Sequence, residues 1–205
     1  MMRGECYRFL AACFYLPKKE TIGSDTFFPA LINNLQQVCP AAAPSAELMQ
    51  QAFSSQTEEE LASEYAHLFM GPFALKAPPY GSVYLDENRI VMGPSTMETI
   101  KVYESEGLVR DAEFDELPDH IAVELEFVYY LIYRQVEALD KSDFASYQEY
   151  CHKEQEFISR FLGKWAPRLC ANITNETSSA FYRSLTGCLE ALLEGGREAG
   201  SASLQ

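Results

Sequence analysis

Apolar side chains recur every three or four residues along nearly the whole chain, the spacing that gives a helix one buried face. Strand-like alternation is confined to a short stretch at residues 82–85. A chain patterned this way buries its helices against one another, which predicts an all-α bundle. About eight helices are expected, near residues 3–16, 24–38, 44–54, 57–70, 95–106, 118–139, 142–165 and 178–193. Their ends carry punctuation: Pro17 stops the first, Cys39-Pro40 the second, Gly71-Pro72 the fourth. Thr57 and Glu60 form a capping box, the threonine taking one free amide and the glutamate reaching back for another. Pro118 suits a helix start, where its missing N–H costs nothing. The helix after it carries two apolar stripes, Ile121, Leu125, Val128, Ile132 and Leu139, then Phe127 and Leu131, as a central bundle helix does. Residues 1–194 read as one domain, and the Gly/Ser-rich residues 195–205 as a disordered tail.

Residues 70–94 break the periodicity with Gly71, Pro72, Pro78, Pro79, Gly81, Gly93 and Pro94, and add Phe73, Tyr80 and Tyr84. A loop this long inside a compact domain is functional or disordered, and its aromatic content argues for function. A second, acidic loop spans residues 111–116. The chain has 30 acidic and 16 basic residues, a net charge of −14. That field repels nucleic acid and anionic lipid and attracts cationic partners.

No apolar run approaches the roughly 18 residues of a membrane span. Leu10-Ala11-Ala12-Cys13 matches a lipoprotein cleavage site, but Glu5 and Arg8 interrupt the short apolar run before it. Cys6, Phe9, Leu10, Cys13 and Phe14 instead form one stripe of an amphipathic helix. The cysteines at 6, 13, 39, 151, 170 and 188 make no Cys-x-x-Cys pair, and several lie on apolar faces. Reduced thiols in the cytoplasm are the expected state.

Catalytic signatures are absent: no nucleophile elbow, no phosphate-cradling glycine loop, no zinc-binding His-Glu-x-x-His. Glu64-x-x-His67 and Glu149-x-x-His152 match half-motifs of di-iron carboxylate bundles, whose ligands point inward. On a helical wheel, Phe144, Tyr147, Cys151, Ile158, Leu162 and Trp165 define the buried stripe, with Glu149 and His152 nearly opposite. Glu64 and His67 likewise flank the stripe of Leu61, Tyr65, Leu68 and Phe69. No metal or cofactor is therefore expected, and a di-iron oxidoreductase stays as the enzymatic alternative. Asp119, just after Pro118, falls in the first helical turn, where the macrodipole favours a carboxylate. His120 sits one turn from Glu124, and Glu113, Asp115 and Glu116 lie nearby, a group able to receive arginines through charge-assisted bonds.

Three motifs in order resemble the TorD/DmsD/NarJ family of redox-enzyme maturation chaperones. They are Tyr65-Ala66-His67-Leu68-Phe69-Met70-Gly71-Pro72, Pro78-Pro79-Tyr80-Gly81-Ser82-Val83-Tyr84, and Leu117-Pro118-Asp119-His120 followed by Glu124-Leu125-Glu126-Phe127. The resemblance covers most of the chain. It implies that family's helical fold and a cytoplasmic chaperone, not an enzyme. Such a chaperone binds the twin-arginine signal peptide and apoprotein of a molybdenum-cofactor oxidoreductase, assists cofactor insertion and prevents premature export. The family's peptide-binding region maps onto Tyr65, Leu68, Phe69, Gly71, Pro72, Pro79, Tyr80, Ser82, Tyr84, Asp119 and His120. Many relatives carry glutamate before that serine, where this chain has Gly81. No nucleotide motif accompanies the resemblance, and a monomer or a domain-swapped dimer fits two packed helical halves. An adaptor for some other cationic partner is the remaining alternative.

Overall fold

The computed structural model describes residues 1–71, 75–109, 111 and 116–202. Among these residues the chain forms α1 (Met2–Cys13), α2 (Lys19–Ile22), α3 (Phe27–Val38), α4 (Ala43–Ser55), α5 (Glu58–Phe69), α6 (Ser82–Leu85), α7 (Pro94–Ser105), α8 (Ile121–Asp140), α9 (Phe144–Arg160), α10 (Leu162–Glu176) and α11 (Ala180–Ala202). Single 3-10 turns cover Pro40–Ala42 and Glu87–Arg89. The all-α expectation holds; the one β-type pairing among the described residues is an isolated antiparallel bridge between Tyr80 and His120.

α8 is the axis of the bundle, packed against α1 on one side and α9 on another, and it also meets α10. Both of its apolar stripes are used: Ile121, Leu125, Val128 and Ile132 are buried, as are Phe127 and Leu131, while Leu139 at the helix end is exposed. α11 lies on α4 and α10, and α3 connects α1 to α4. The stripe of α1 is buried through Cys6, Leu10, Cys13 and Phe14, with Phe9 partly covered. The capping box of α5 forms as read: Glu60 N–H donates to Thr57 Oγ1 (3.1 Å) and Thr57 N–H to Glu60 Oε2 (2.8 Å).

Four sequence expectations are corrected. The stretch at residues 82–85 is the helical turn α6 and not a strand. The helix expected from Pro118 begins at Ile121, because residues 117–120 turn to meet the 79–82 segment. The helix expected over residues 142–165 breaks at Phe161, whose φ of −119° and ψ of −95° are not helical, and α10 follows with Pro167 inside it. The buried stripe of α9 starts later than the wheel suggested: Phe144 is 67 % exposed, whereas Glu154, Phe157 and Ile158 are buried. Glu154 can be buried because Arg3 of α1 grips its carboxylate through both terminal nitrogens, and Gln135 of α8 donates to it at 2.7 Å. At the C-terminal end the helical backbone continues past Glu194 as far as Ala202. Gly195 and Gly196 there face the Cys39 sulfur and the Tyr7 hydroxyl.

All six cysteines are free, five of them buried. Burial pushes the Cys6 and Cys188 thiols up to about 12 and holds them protonated. Among the described residues no helix is long and apolar enough to cross a membrane.

Candidate binding site

The Pro/Gly loop and the start of α8 are stitched together by backbone bonds. Gly81 N–H donates to the Asp119 carbonyl and Ile121 N–H to the Pro79 carbonyl, each at 2.8 Å. The Asp119 carboxylate accepts from Ser82 N–H, again at 2.8 Å. Asp119 thus lies ahead of α8 and serves the amide end of α6 across the stitch, so the helix-start role read from the sequence falls to its neighbour. His120 is the N-cap of α8, and its Nδ1 accepts from Ala122 N–H at 3.2 Å.

That bond leaves the imidazole proton on Nε2, which points toward Glu116 Oε2 at 3.8 Å. Tyr15 stacks on the His120 ring (5.9 Å between centroids, 15°) and Tyr80 meets it edge-on at 5.5 Å. The Tyr15 hydroxyl donates to Glu126 Oε1 at 3.2 Å. Burial lowers the His120 pKa to about 4. Burial also raises Glu126, an effect partly offset by the Tyr15 hydrogen bond.

Most of the residues that the motifs single out are interior. Leu68, Ser82, Asp119 and His120 are at most 1 % exposed, and Tyr65, Phe69, Pro79 and Tyr84 are buried as well. Tyr84 stacks on Trp165 at 5.6 Å, under the Arg168 guanidinium and with Asn172 donating to its hydroxyl. Tyr65 and Phe69 belong to an aromatic chain that continues to Tyr182. Tyr80 is half-buried and Gly71 exposed, while Pro72, Glu113 and Asp115 lie outside the described residues. The structure therefore brings Pro79, Tyr80, Ser82, Asp119 and His120 into one knot, with Tyr65 near enough for Glu116 and Tyr80 to act on its hydroxyl.

Beside the knot opens a groove of about 510 Å³ between α7, α8 and the connection joining them. Ile100 and Tyr103 of α7, Val123, Phe127 and Tyr130 of α8, and Met92, Leu108 and Pro118 supply its apolar surface. Glu104, Asp111, Glu116 and Glu126 stand on it, and among the described residues no lysine or arginine lines it. The apolar surface runs outward along Ile90, Val91 and Met92, each about half exposed, and Val109 is 87 % exposed. Arg89 and Met92 have φ of 52° and 62°, a left-handed backbone that costs non-glycine residues energy and is frequent at ligand clamps. The knot supports one wall directly, since Tyr103 donates its hydroxyl to the Pro118 carbonyl at 2.9 Å. No motif marks Ile100, Tyr103, Glu104, Leu108 or Tyr130. The available signal was the surplus of apolar residues at 90–92 and 108–109 beside an acidic loop.

The half-motifs for iron have other employment. Glu64 accepts from Thr177 Oγ1 (2.5 Å), Ser178 N–H (2.8 Å) and Ser179 N–H (3.4 Å), and His67 Nε2 lies 3.3 Å from the Glu176 carbonyl. Glu149 pairs with Lys153, and His152 is exposed. Among the described residues no group of three histidine, cysteine, aspartate or glutamate side chains could hold a metal.

The family model for the nitrate reductase delta subunit matches residues 30–171. The chaperone protein TorD of Aliivibrio salmonicida is 27 % identical over 199 residues, covering 94 % of this chain and 91 % of its own length. The Tat proofreading chaperone DmsD of Salmonella typhi is 26 % identical over 179 residues, 87 % of this chain and 80 % of that one. The crystal structure of a redox enzyme maturation protein from Archaeoglobus fulgidus superposes with a TM-score of 0.58 at 19 % identity. It covers 93 % of this chain and 94 % of its own, a likeness of fold.

Proposed function

The chain belongs to the nitrate reductase delta subunit family, a redox-enzyme maturation chaperone and not an enzyme, and we propose that it binds its client through a twin-arginine signal peptide. In this reading it holds the apoprotein of a molybdenum-cofactor oxidoreductase in the cytoplasm until the cofactor is inserted, and so delays export. The observation that carries the reading is the apolar groove beside the knot, with Glu104, Asp111, Glu116 and Glu126 on its surface. A twin-arginine signal has two guanidinium groups followed by an apolar stretch. Carboxylates match the first part through bidentate, charge-assisted bonds, and an aromatic groove matches the second.

A cavity of this size holds a few side chains in place, so affinity comes from a short anchored segment. One relative's name, that of a Tat proofreading chaperone, supports the reading.

The test is titration calorimetry of the purified chain with a synthetic signal peptide and its twin-alanine counterpart. The twin-arginine form should bind at least about tenfold more tightly, the worth of one hydrogen bond to a charged group. Equal affinity for the two peptides would rule out arginine recognition.

A further inference from the structure

Taking the signal-peptide reading as premise, we infer that Glu116 and Glu126 receive the two arginines, and that Asp119, Ser82 and His120 position them without touching the peptide. Burial makes the first division. The Asp119, Ser82 and His120 side chains are at most 1 % exposed, so a peptide lying in the groove has no path to them. Glu116 and Glu126 are half-buried on the groove wall and open to it. The motif residues that the resemblance nominates as contacts are interior, and the carboxylates that face a ligand are their neighbours.

One imidazole joins the two carboxylates. His120 is pinned to α8 by Ala122 N–H on Nδ1, which directs its Nε2 proton toward Glu116. The opposite relation runs through the ring face: Tyr15 lies parallel on His120 and places its hydroxyl on Glu126. Each carboxylate thus has a neutral side chain of the knot beside it, and a guanidinium reaching it offers several donors in a fixed fork. Asp119 acts one step further back. By holding Ser82 N–H and, through its carbonyl, Gly81 N–H, it fixes the turn that carries Pro118 and Glu116 onto the wall. A side chain held by packing and a second layer of hydrogen bonds is what gives a binding group a single geometry.

The experiment compares Glu116→Gln, Glu126→Gln, Tyr15→Phe and Asp119→Asn with the wild type. Each is titrated with the twin-arginine and twin-alanine peptides and melted by circular dichroism. Glu116→Gln and Glu126→Gln should each cut twin-arginine affinity about tenfold or more while leaving twin-alanine binding and the melting temperature unchanged. Tyr15→Phe keeps the ring stack and loses only the hydroxyl, so it should lower the ratio of the two affinities with the fold intact. Asp119→Asn should lower the melting temperature and weaken both peptides alike. If the wild type discriminates but the two glutamine variants discriminate equally well, the assignment is wrong and the signal-peptide reading survives. An Asp119→Asn protein that melts normally and loses only the twin-arginine preference would also overturn it, by making Asp119 the contact. A wild type that does not discriminate refutes both readings together.

Discussion

At position 81 the backbone is helical (φ −58°), so the absence of a side chain there is a matter of space and not of conformation. A Cβ on Gly81 would lie 3.0 Å from Trp165 Nε1, 3.2 Å from its Cε2 and 3.3 Å from Glu124 Oε1. Trp165 Nε1–H donates to Glu124 Oε2 at 2.9 Å, and burial holds the Glu124 carboxyl well above the usual carboxylate range. A side chain at this position would need Trp165 or Glu124 to give by a few tenths of an ångström, and a carboxyl from α8 occupies the neighbouring space. His120, on the same knot, makes stability depend on pH. Its unfolded pKa is near 6.5 and its folded value about 4, so the unfolded chain binds the proton first and stability is lost as pH falls through that window. Between pH 7 and pH 5 the loss is about 2 kcal/mol from this residue. Glu124 has the opposite sign, because its folded form holds a proton that the unfolded form releases above pH 4.5. The clean measurement is thus the difference between wild type and His120→Asn in urea midpoint at the two pH values, since asparagine keeps a cap acceptor. A variant whose midpoint falls with acid as steeply as the wild type's would refute the assignment. Glu116, Tyr15 and Tyr80 face the imidazole, and none of them changes in the variant.

Helix starts were legible whether the cap is local or borrowed, those of α7 and α11 included, but the distant partners that tie them down were not. The capping box of α5 needs only Thr57 and Glu60. α11 has a local cap too, Ser179 Oγ accepting from Phe181 N–H at 3.2 Å, while Glu64, from a helix more than a hundred residues earlier, ties down the turn before it through Ser178 and Ser179 N–H. α7 starts at Gly93, which has no side chain to cap with, and Asp86 supplies the oxygen from outside, accepting from Ser95 N–H and Oγ–H. A Cβ at 93 would sit 2.2 Å from Asp86 Oδ2, so the glycine is what lets the borrowed cap approach. α10 was not expected: residues 162–165 read as the end of the preceding helix, whereas α10 runs through Pro167 and packs against α9 and α11. The Glu64 arrangement predicts a cost. Burial raises the Glu64 pKa, but the bonds from Thr177, Ser178 and Ser179 together bring it below its ordinary value, so the carboxylate is the form that accepts them. Glu64→Ala should lower stability by about 1 kcal/mol in a urea titration, the typical net worth of a hydrogen bond, with helix content retained. Glu64→Gln should recover part of that, because its carbonyl still accepts. A full-strength Glu64→Ala protein would mean that water replaces the carboxylate without loss.

Taken over the whole molecule, α8 carries both the interior and the groove. Leu125 and Val128 are buried in the core, Glu126 and Tyr130 face the groove, and Phe127 lines it while being 4 % exposed. That division was half readable: two apolar stripes announce a central helix, but nothing in one sequence says that part of the second stripe forms the floor of an open groove. The net charge of −14 acts at this largest scale. Long-range attraction between an acidic chaperone and a cationic signal speeds encounter, and salt screens it over a length of about 8 Å at physiological ionic strength. On the proposal that Glu116 and Glu126 receive the arginines, bonds to a guanidinium inside the groove would be close-range and partly shielded from salt. Stopped-flow measurements with the twin-arginine peptide should therefore show the association rate falling about tenfold or more as salt rises from about 0.05 M to about 0.5 M, with dissociation changing far less. The twin-alanine peptide should show a shallower dependence of association on salt, because fewer charges are steered. If salt instead accelerated dissociation and left association unchanged, the carboxylates would be holding the peptide from exposed positions, and the groove would not be where the arginines rest.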